Sequence, residues 1–125
     1  NELGFPAELI PATCHAIEAH SFSAALPAET LEAKLLQDAD RMEALGAIGL
    51  ARVFYTSGRM QRAMFDPFDP LARHRPLDDL AYALDHFFVK LYKVADSMQT
   101  PSGRAMAVQR RQVLERYVEE LLQEL

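Results

Sequence analysis

The sequence predicts an all-α fold, a bundle of about five helices, and three observations carry that expectation. Ala (19) and Leu (17) far outnumber Val and Ile together (9), and Trp is absent. Unbranched residues and Ala lose little side-chain freedom in a helix, whereas the scarce β-branched ones favour strands. Apolar residues also recur at helical spacing along several stretches, with Pro and Gly marking the breaks. A chain of 125 residues, half of them apolar, is long enough for one domain with a real core and needs no disulfide staples.

The elements follow in order. A first helix starts near Pro6 or Pro11, where proline suits a first turn, and runs to about His20 with Ile10, Cys14 and Ile17 as its apolar stripe. Residues 21–28 end at Pro27 and read as a loop. Thr30 caps a second helix whose stripe is Leu31, Leu35, Ala39 and Met42. A third helix spans Leu45 to about Thr56 and ends at Gly58. Residues 59–77 form a long, locally basic connection carrying Arg59, Arg62, Arg73 and Arg75 together with Pro67, Pro70 and Pro76. Such loops serve as lids or binding loops. Asp78 or Asp79 caps a fourth helix bearing Leu80, Leu84, Phe87, Phe88, Leu91 and Val94. After a break at Pro101 and Gly103, a last helix carries Ala107, Leu114, Val118, Leu121 and Leu125. Arg111 interrupts that stripe, which favours closing the bundle over a homodimer seam, although a homodimer stays among the expected partners.

Net charge is −5, which disfavours a nucleic-acid polymer as partner, and no apolar run is long enough for a membrane span. The single cysteine, Cys14, cannot form an internal disulfide, so a reducing, cytoplasmic setting is expected, with the thiol buried and unreactive. The chain opens on Asn1 rather than Met and runs directly into Leu3, Phe5 and Pro6, which suggests a portion of something longer.

The richest segment for chemistry is KLLQDADRMEALGAIGLAR, residues 34–52. Asp38 and Asp40 lie about 200° apart on a helix, so one site does not easily use both. Asp38 has Lys34 four residues before it and Arg41 three after, and reads as a solvated ion pair. Asp40 has no cation three or four residues away, and its stripe continues through Ala47, Ile48 and Ala51. A carboxylate on such a face calls for a metal, a histidine or hydrogen-bond donors from elsewhere in the fold. His15 and His20, five apart, converge only if the helix ends before His20. Lys90, Lys93 and the arginine-bearing loop are candidates for holding an anion.

The segments CHAIEAHSFSA, EAKLLQDADRMEALGAIGLARVF and HRPLDDLAYALDHFFVKLYKVADSMQTPSGRAMA together resemble the C-terminal part of bacterial HD-domain metal-dependent phosphohydrolases, in the small branch with nucleotide pyrophosphohydrolases. The resemblance implies an all-helical domain holding a divalent ion (Mn, Mg, Fe or Zn) through a histidine, a His-Asp doublet and a later aspartate. The later aspartate matches Asp40 in ADRM. His20, and less directly His15, would contact water or phosphate as catalytic residues, and Arg41, Arg52, Lys90 and Lys93 would face the substrate. The implied reaction is metal-assisted hydrolysis of a phosphate ester or anhydride of a nucleotide, the metal activating water and neutralising phosphoryl charge. The first histidine and the doublet do not occur in the sequence. The expectation is therefore the C-terminal part of one HD-type domain, without its N-terminal helices and inactive alone. The other reading is a non-catalytic helical interaction or oligomerisation remnant.

Overall fold

The computed structural model describes residues 4–21 and 25–125. Asn1, Leu3 and the Phe-Ser-Ala of the HSFSA stretch, on which parts of the resemblance rest, lie outside the described residues.

Five α-helices carry the fold among the described residues, and no helix there is long and apolar enough to cross a membrane. A short 3₁₀ turn, Ala7–Leu9, leads into α1 (Ile10–Ala19), with Pro11 in its first turn as expected. α2 (Leu31–Met42) is capped by Thr30, whose hydroxyl accepts the Ala33 N–H at 3.1 Å. α3 spans Gly46–Arg59. After a long non-helical excursion, a π-helical turn (Phe87–Leu91) runs without interruption into α4 (Tyr92–Asp96). α5 (Pro101–Glu124) closes the bundle.

The fourth helix begins later than Asp78 or Asp79 would start it. Asp78 instead caps a turn, its carboxylate accepting the N–H groups of Leu80 and Ala81. Pro101 and Gly103, expected at a break, are the first turn of α5. Proline there lacks an N–H that would have had no partner anyway.

The main core gathers Leu84, Phe87, Leu91, Val94, Leu114 and Leu45 from the second half of the chain and the start of α3. Phe87 is fully enclosed and stacks on Tyr117 at 6.1 Å, with Phe54 tilted against both rings. Burying one such ring contributes about 2–3 kcal/mol. α1 and α2 meet through a separate alanine cluster, Ala16, Ala19, Ala28 and Ala33, whose small side chains allow close approach.

The expected stripe of α1 does not face the core, and of the α2 stripe only Met42 does. Ile10, Cys14 and Ile17 of α1 are exposed, and so are Leu31, Leu35 and Ala39 of α2. The buried face of α2 is Ala33, Gln37, Asp38 and Met42. Helical spacing identified amphipathic helices but chose the wrong face, because the packed partner selects small residues and hydrogen-bonding side chains here. Cys14 is accordingly an exposed thiol rather than a buried one.

α3 ends in a turn built on an unusual residue. Gln61 adopts φ +55°, its N–H donates to the Gly58 carbonyl, and the Arg62 N–H donates to the Ser57 carbonyl at 2.9 Å. This is the hydrogen-bond pattern of a Schellman motif, whose left-handed position favours glycine. Gln61→Gly is expected to raise stability by about 1 kcal/mol by removing the Cβ penalty, measured as the shift of a urea midpoint. An unchanged or lower midpoint would contradict the strain.

Candidate functional site

The two aspartates of the QDADR segment do lie on opposite faces of α2, with the environments reversed from the local-neighbour argument. Asp38 is the buried one. Its Oδ1 accepts the Gln99 N–H at 2.8 Å, and its Oδ2 accepts the Thr100 N–H at 2.8 Å and the Thr100 hydroxyl at 2.7 Å. The Thr100 hydroxyl also accepts the Gly103 N–H at 3.0 Å. Asp38 thus anchors the start of α5 to α2 and is not a solvated partner of Lys34 and Arg41. Gly103 completes the arrangement, since a Cβ there would overlap the Asp38 carboxylate and the Thr100 hydroxyl. Asp40 is exposed, as are Leu36, Ala47, Ile48 and Ala51.

The histidines of α1 have separate tasks. His15 Nε2 accepts the Glu29 backbone N–H at 3.0 Å, which ties α1 to the residues entering α2 and sets the tautomer with the proton on Nδ1. His20, the C-cap of α1, donates from Nδ1 to the Ile17 carbonyl at 2.5 Å. That bond leaves Nε2 as the ring nitrogen without a hydrogen-bond partner among the described residues.

The four basic candidates divide. Arg41 is half-buried and donates to the Ser97 carbonyl at 2.7 Å, at the C-terminal end of α4. Burial holds its guanidinium below the usual value, against the pull of Asp38 and Asp40. Lys93 is exposed on α4. Arg52 and Lys90 come together, lining a cleft of about 340 Å³ between α3 and the π turn. Arg62, which the sequence grouped with Lys90 through the basic loop, lines the same cleft, and so does His86, which sequence reasoning left unpaired. Their convergence depends on the Gln61 turn and on the return of the chain after 25 residues, which no local pattern announces.

The basic connection is not a free clamp. Arg75 forms a bidentate pair with the fully enclosed Asp85 (2.6 and 2.9 Å), and its guanidinium lies 4.4 Å from the centre of the Tyr82 ring. The Asp78 N–H donates to the same Asp85 carboxylate at 2.7 Å. The hydrogen bonds that Arg75 donates to Asp85 drive its pKa upward. Asp66 accepts the N–H groups of Phe68 and Asp69, and Asp69 those of Arg73 and His74. These backbone donors, from Phe68 and His74 first, hold both carboxyls below the usual carboxylate value. Backbone pairing of Ala63 with Ala81 and Ala83 closes the excursion at its base. The long loop is therefore folded by its own carboxylates, and Arg75 is committed within it. His86, without a partner in the sequence pattern, has Asp79 at 2.8 Å.

A divalent metal fits poorly to these residues alone. Among the described residues no three His, Cys, Asp or Glu side chains lie close enough to hold one. One exposed carboxylate does not provide the several ligands in defined geometry that affinity requires.

No family model matches the chain. It is 34% identical over 92 residues to the uncharacterized protein YpgQ of Bacillus subtilis, over 74% of this chain and 39% of that protein. A crystal structure described as an HD-superfamily hydrolase from Bacillus thuringiensis superimposes with a TM-score of 0.76 and 36% identity, covering 98% of this chain and 56% of the other. YpgQ in complex with ADP superimposes with a TM-score of 0.75 and 30% identity, covering 99% and 58%. The chain spans about two fifths of the curated relative and under two thirds of these solved structures. Its all-helical architecture is HD-like.

Proposed function

We propose that this chain is the C-terminal part of an HD-type metal-dependent phosphohydrolase acting on a phosphate ester or anhydride of a nucleotide. The observation that carries the reading is the superposition of nearly the whole chain on an HD-superfamily hydrolase at 36% identity. The ADP bound to YpgQ, which superimposes equally fully, supports a nucleotide as the substrate class. In this reading Asp40 supplies one ligand of a divalent ion, and the others come from residues outside this sequence. The exposure of Asp40 suits that role, because an exposed carboxylate is open to partners from another segment. In the same reading His20 acts on water or phosphate, its Nδ1 being engaged by the Ile17 carbonyl. His15 holds the α1–α2 connection, and Arg41 holds α2 to α4.

The second reading, a non-catalytic helical interaction module, draws on the exposed apolar side chains Ile10, Ile17, Leu35 and Ile48. The two readings separate cleanly. The coding sequence upstream of Asn1 is expected to encode a histidine and a His-Asp doublet. In a protein carrying them, Asp40→Ala is expected to abolish metal-dependent hydrolysis and bound metal, measured by phosphate release and elemental analysis. Wild-type turnover and metal content in that variant would overturn the assignment of Asp40, and a start codon immediately at the Asn1 boundary would favour the interaction module.

A further inference from the structure

The contact between α1 and α2 is made by side chains that do little to resist sliding. Its apolar part is Ala16, Ala19, Ala28 and Ala33. Methyl groups form low ridges, so helices faced with alanine approach closely but interlock weakly. Their register along each other then depends on directional bonds that cross the contact. His15 Nε2 accepts the Glu29 N–H where the chain enters α2, and the Gln37 amide holds the far end, where α1 finishes.

Gln37 is 1% exposed, and an amide withdrawn from water this fully needs partners for its polar groups. Its Nε2 donates to the Ala19 carbonyl at 2.7 Å, and its Oε1 accepts from Gln99 Nε2 at 2.5 Å. One side chain therefore joins the last residue of α1, the middle of α2 and the turn that leads into α5. Its neighbours on α2 bind on the α5 side. Asp38 accepts from Gln99 and Thr100, and Arg41 donates to the Ser97 carbonyl. These bonds fix α2 against the junction of α4 and α5, and Gln37 extends the same polar strip to α1.

The residues at the two ends of that strip are those of the proposed site. Ala19, whose carbonyl Gln37 holds, is followed directly by His20, the C-cap of α1. The His20 ring is bonded through Nδ1 to the Ile17 carbonyl, so imidazole and last turn move as one piece. Asp40 stands three residues after Gln37, on the adjoining row of α2. Any slip of α1 along α2 changes the separation of His20 and Asp40, and the bond from Gln37 to Ala19 opposes that slip.

We infer that Gln37 is a positioning residue: its amide locks the register of α1 on α2 and with it the place of the His20 imidazole relative to Asp40. The inference rests on the roles proposed above for His20 and Asp40. It adds to them a residue that acts through the backbone of α1 and not on substrate. Turnover is sensitive to such placement, a misplacement of about 1 Å costing up to about a hundredfold.

The test uses the complete protein, with ATP as the probe. Gln37→Met keeps an unbranched side chain of good helix propensity and removes both amide bonds. It is expected to lower kcat by about tenfold or more while KM stays within about twofold of wild type. Amide hydrogen exchange in the last turn of α1 should quicken in the same variant. Thr100→Val is the comparison, since it removes the hydroxyl that binds Asp38 and the Gly103 N–H on the α5 side of the network. It should lower the thermal midpoint at least as far as Gln37→Met, yet leave kcat and exchange in α1 near their wild-type values. Should Gln37→Met fail to fold, Gln99→Ala removes the donor that orients the Gln37 amide, and kcat should fall by a smaller factor. Wild-type kcat in the Gln37 or Gln99 variant, unchanged exchange in α1, or an equal loss of kcat in Thr100→Val would overturn the inference. His20→Ala, assayed alongside, separates it from the reading beneath. An inactive His20→Ala beside a fully active Gln37→Met removes Gln37 and leaves the reading standing, whereas wild-type turnover in His20→Ala removes the reading itself and the inference with it.

Discussion

Asp85→Ala is expected to destabilise the fold by about 3–5 kcal/mol, the range for removing one partner of a buried ion pair. The carboxylate is fully enclosed and satisfies both Arg75 guanidinium nitrogens and the Asp78 N–H. Its removal leaves the largely buried Arg75 guanidinium with only the longer Asp66 contact at 3.4 Å and leaves the Asp78 N–H without its acceptor. The thermal midpoint should fall by about 10 °C or more. The pair also decides cooperativity, because Asp85 stands at the foot of the π turn while Arg75 belongs to the preceding excursion. In Asp85→Ala, limited proteolysis should cut within residues 60–84 before the helices unfold. A double variant, Arg75→Met with Asp85→Leu, should recover part of the loss, since it removes the unpaired charge and leaves only the Asp78 N–H without its acceptor. A midpoint for Asp85→Ala within about 1 kcal/mol of wild type would show that solvent relaxes into the site and that the pair does not organise the loop.

Asp38→Ala should cost about 3 kcal/mol, by a different mechanism. Three donors from Gln99 and Thr100 converge on one carboxylate, and two of the bonds are buried. Loss of a helix cap costs about 0.5–2 kcal/mol, and an unsatisfied buried donor about 1–3 kcal/mol. The carboxylate also faces the positive end of a 24-residue helix, a favourable electrostatic placement. Asp38→Asn preserves shape but presents an amide to at least one donor, so it should recover little. Urea denaturation resolves the difference, and equal midpoints for wild type and Asp38→Ala would refute the anchoring role. This prediction opposes the local reading, in which Asp38 is a surface group whose loss costs almost nothing.

The contrast between the two aspartates shows where sequence reasoning stops. Residues three and four positions away report only on a helix's own surface. On that evidence Asp38, flanked by Lys34 and Arg41, looks solvated, and Asp40 looks buried among small apolar residues. The groups that engage Asp38 are 61 and 62 residues distant in sequence. The same limit governs Arg75, whose partner Asp85 is ten residues away across a turn rather than along a helix. It also governs the cleft, where Arg52, Arg62 and Lys90 were each candidates in the sequence but only the fold, through a turn that uses glutamine in a glycine conformation, brings them together with His86.

Helix content and the starts of α1, α2 and α3 were legible because their causes are local, whereas the start of the fourth helix was not. Alanine and leucine abundance, the Thr30 cap and proline in the first turn of α1 act within a few residues, and each appears where the sequence places it. Which face of each helix is covered was not legible, since helical spacing gives a stripe without naming its partner. The sequence by itself determined that this chain is all-helical and roughly where most of its helices lie. Only the tertiary structure decided that Asp38 is an anchor, that Arg75 is committed to Asp85, and that four basic side chains share one cleft. The physical reason is one of range. Backbone propensity and capping are settled over one or two turns, whereas burial, charge pairing and cavity shape depend on contacts between residues that meet only when the bundle closes.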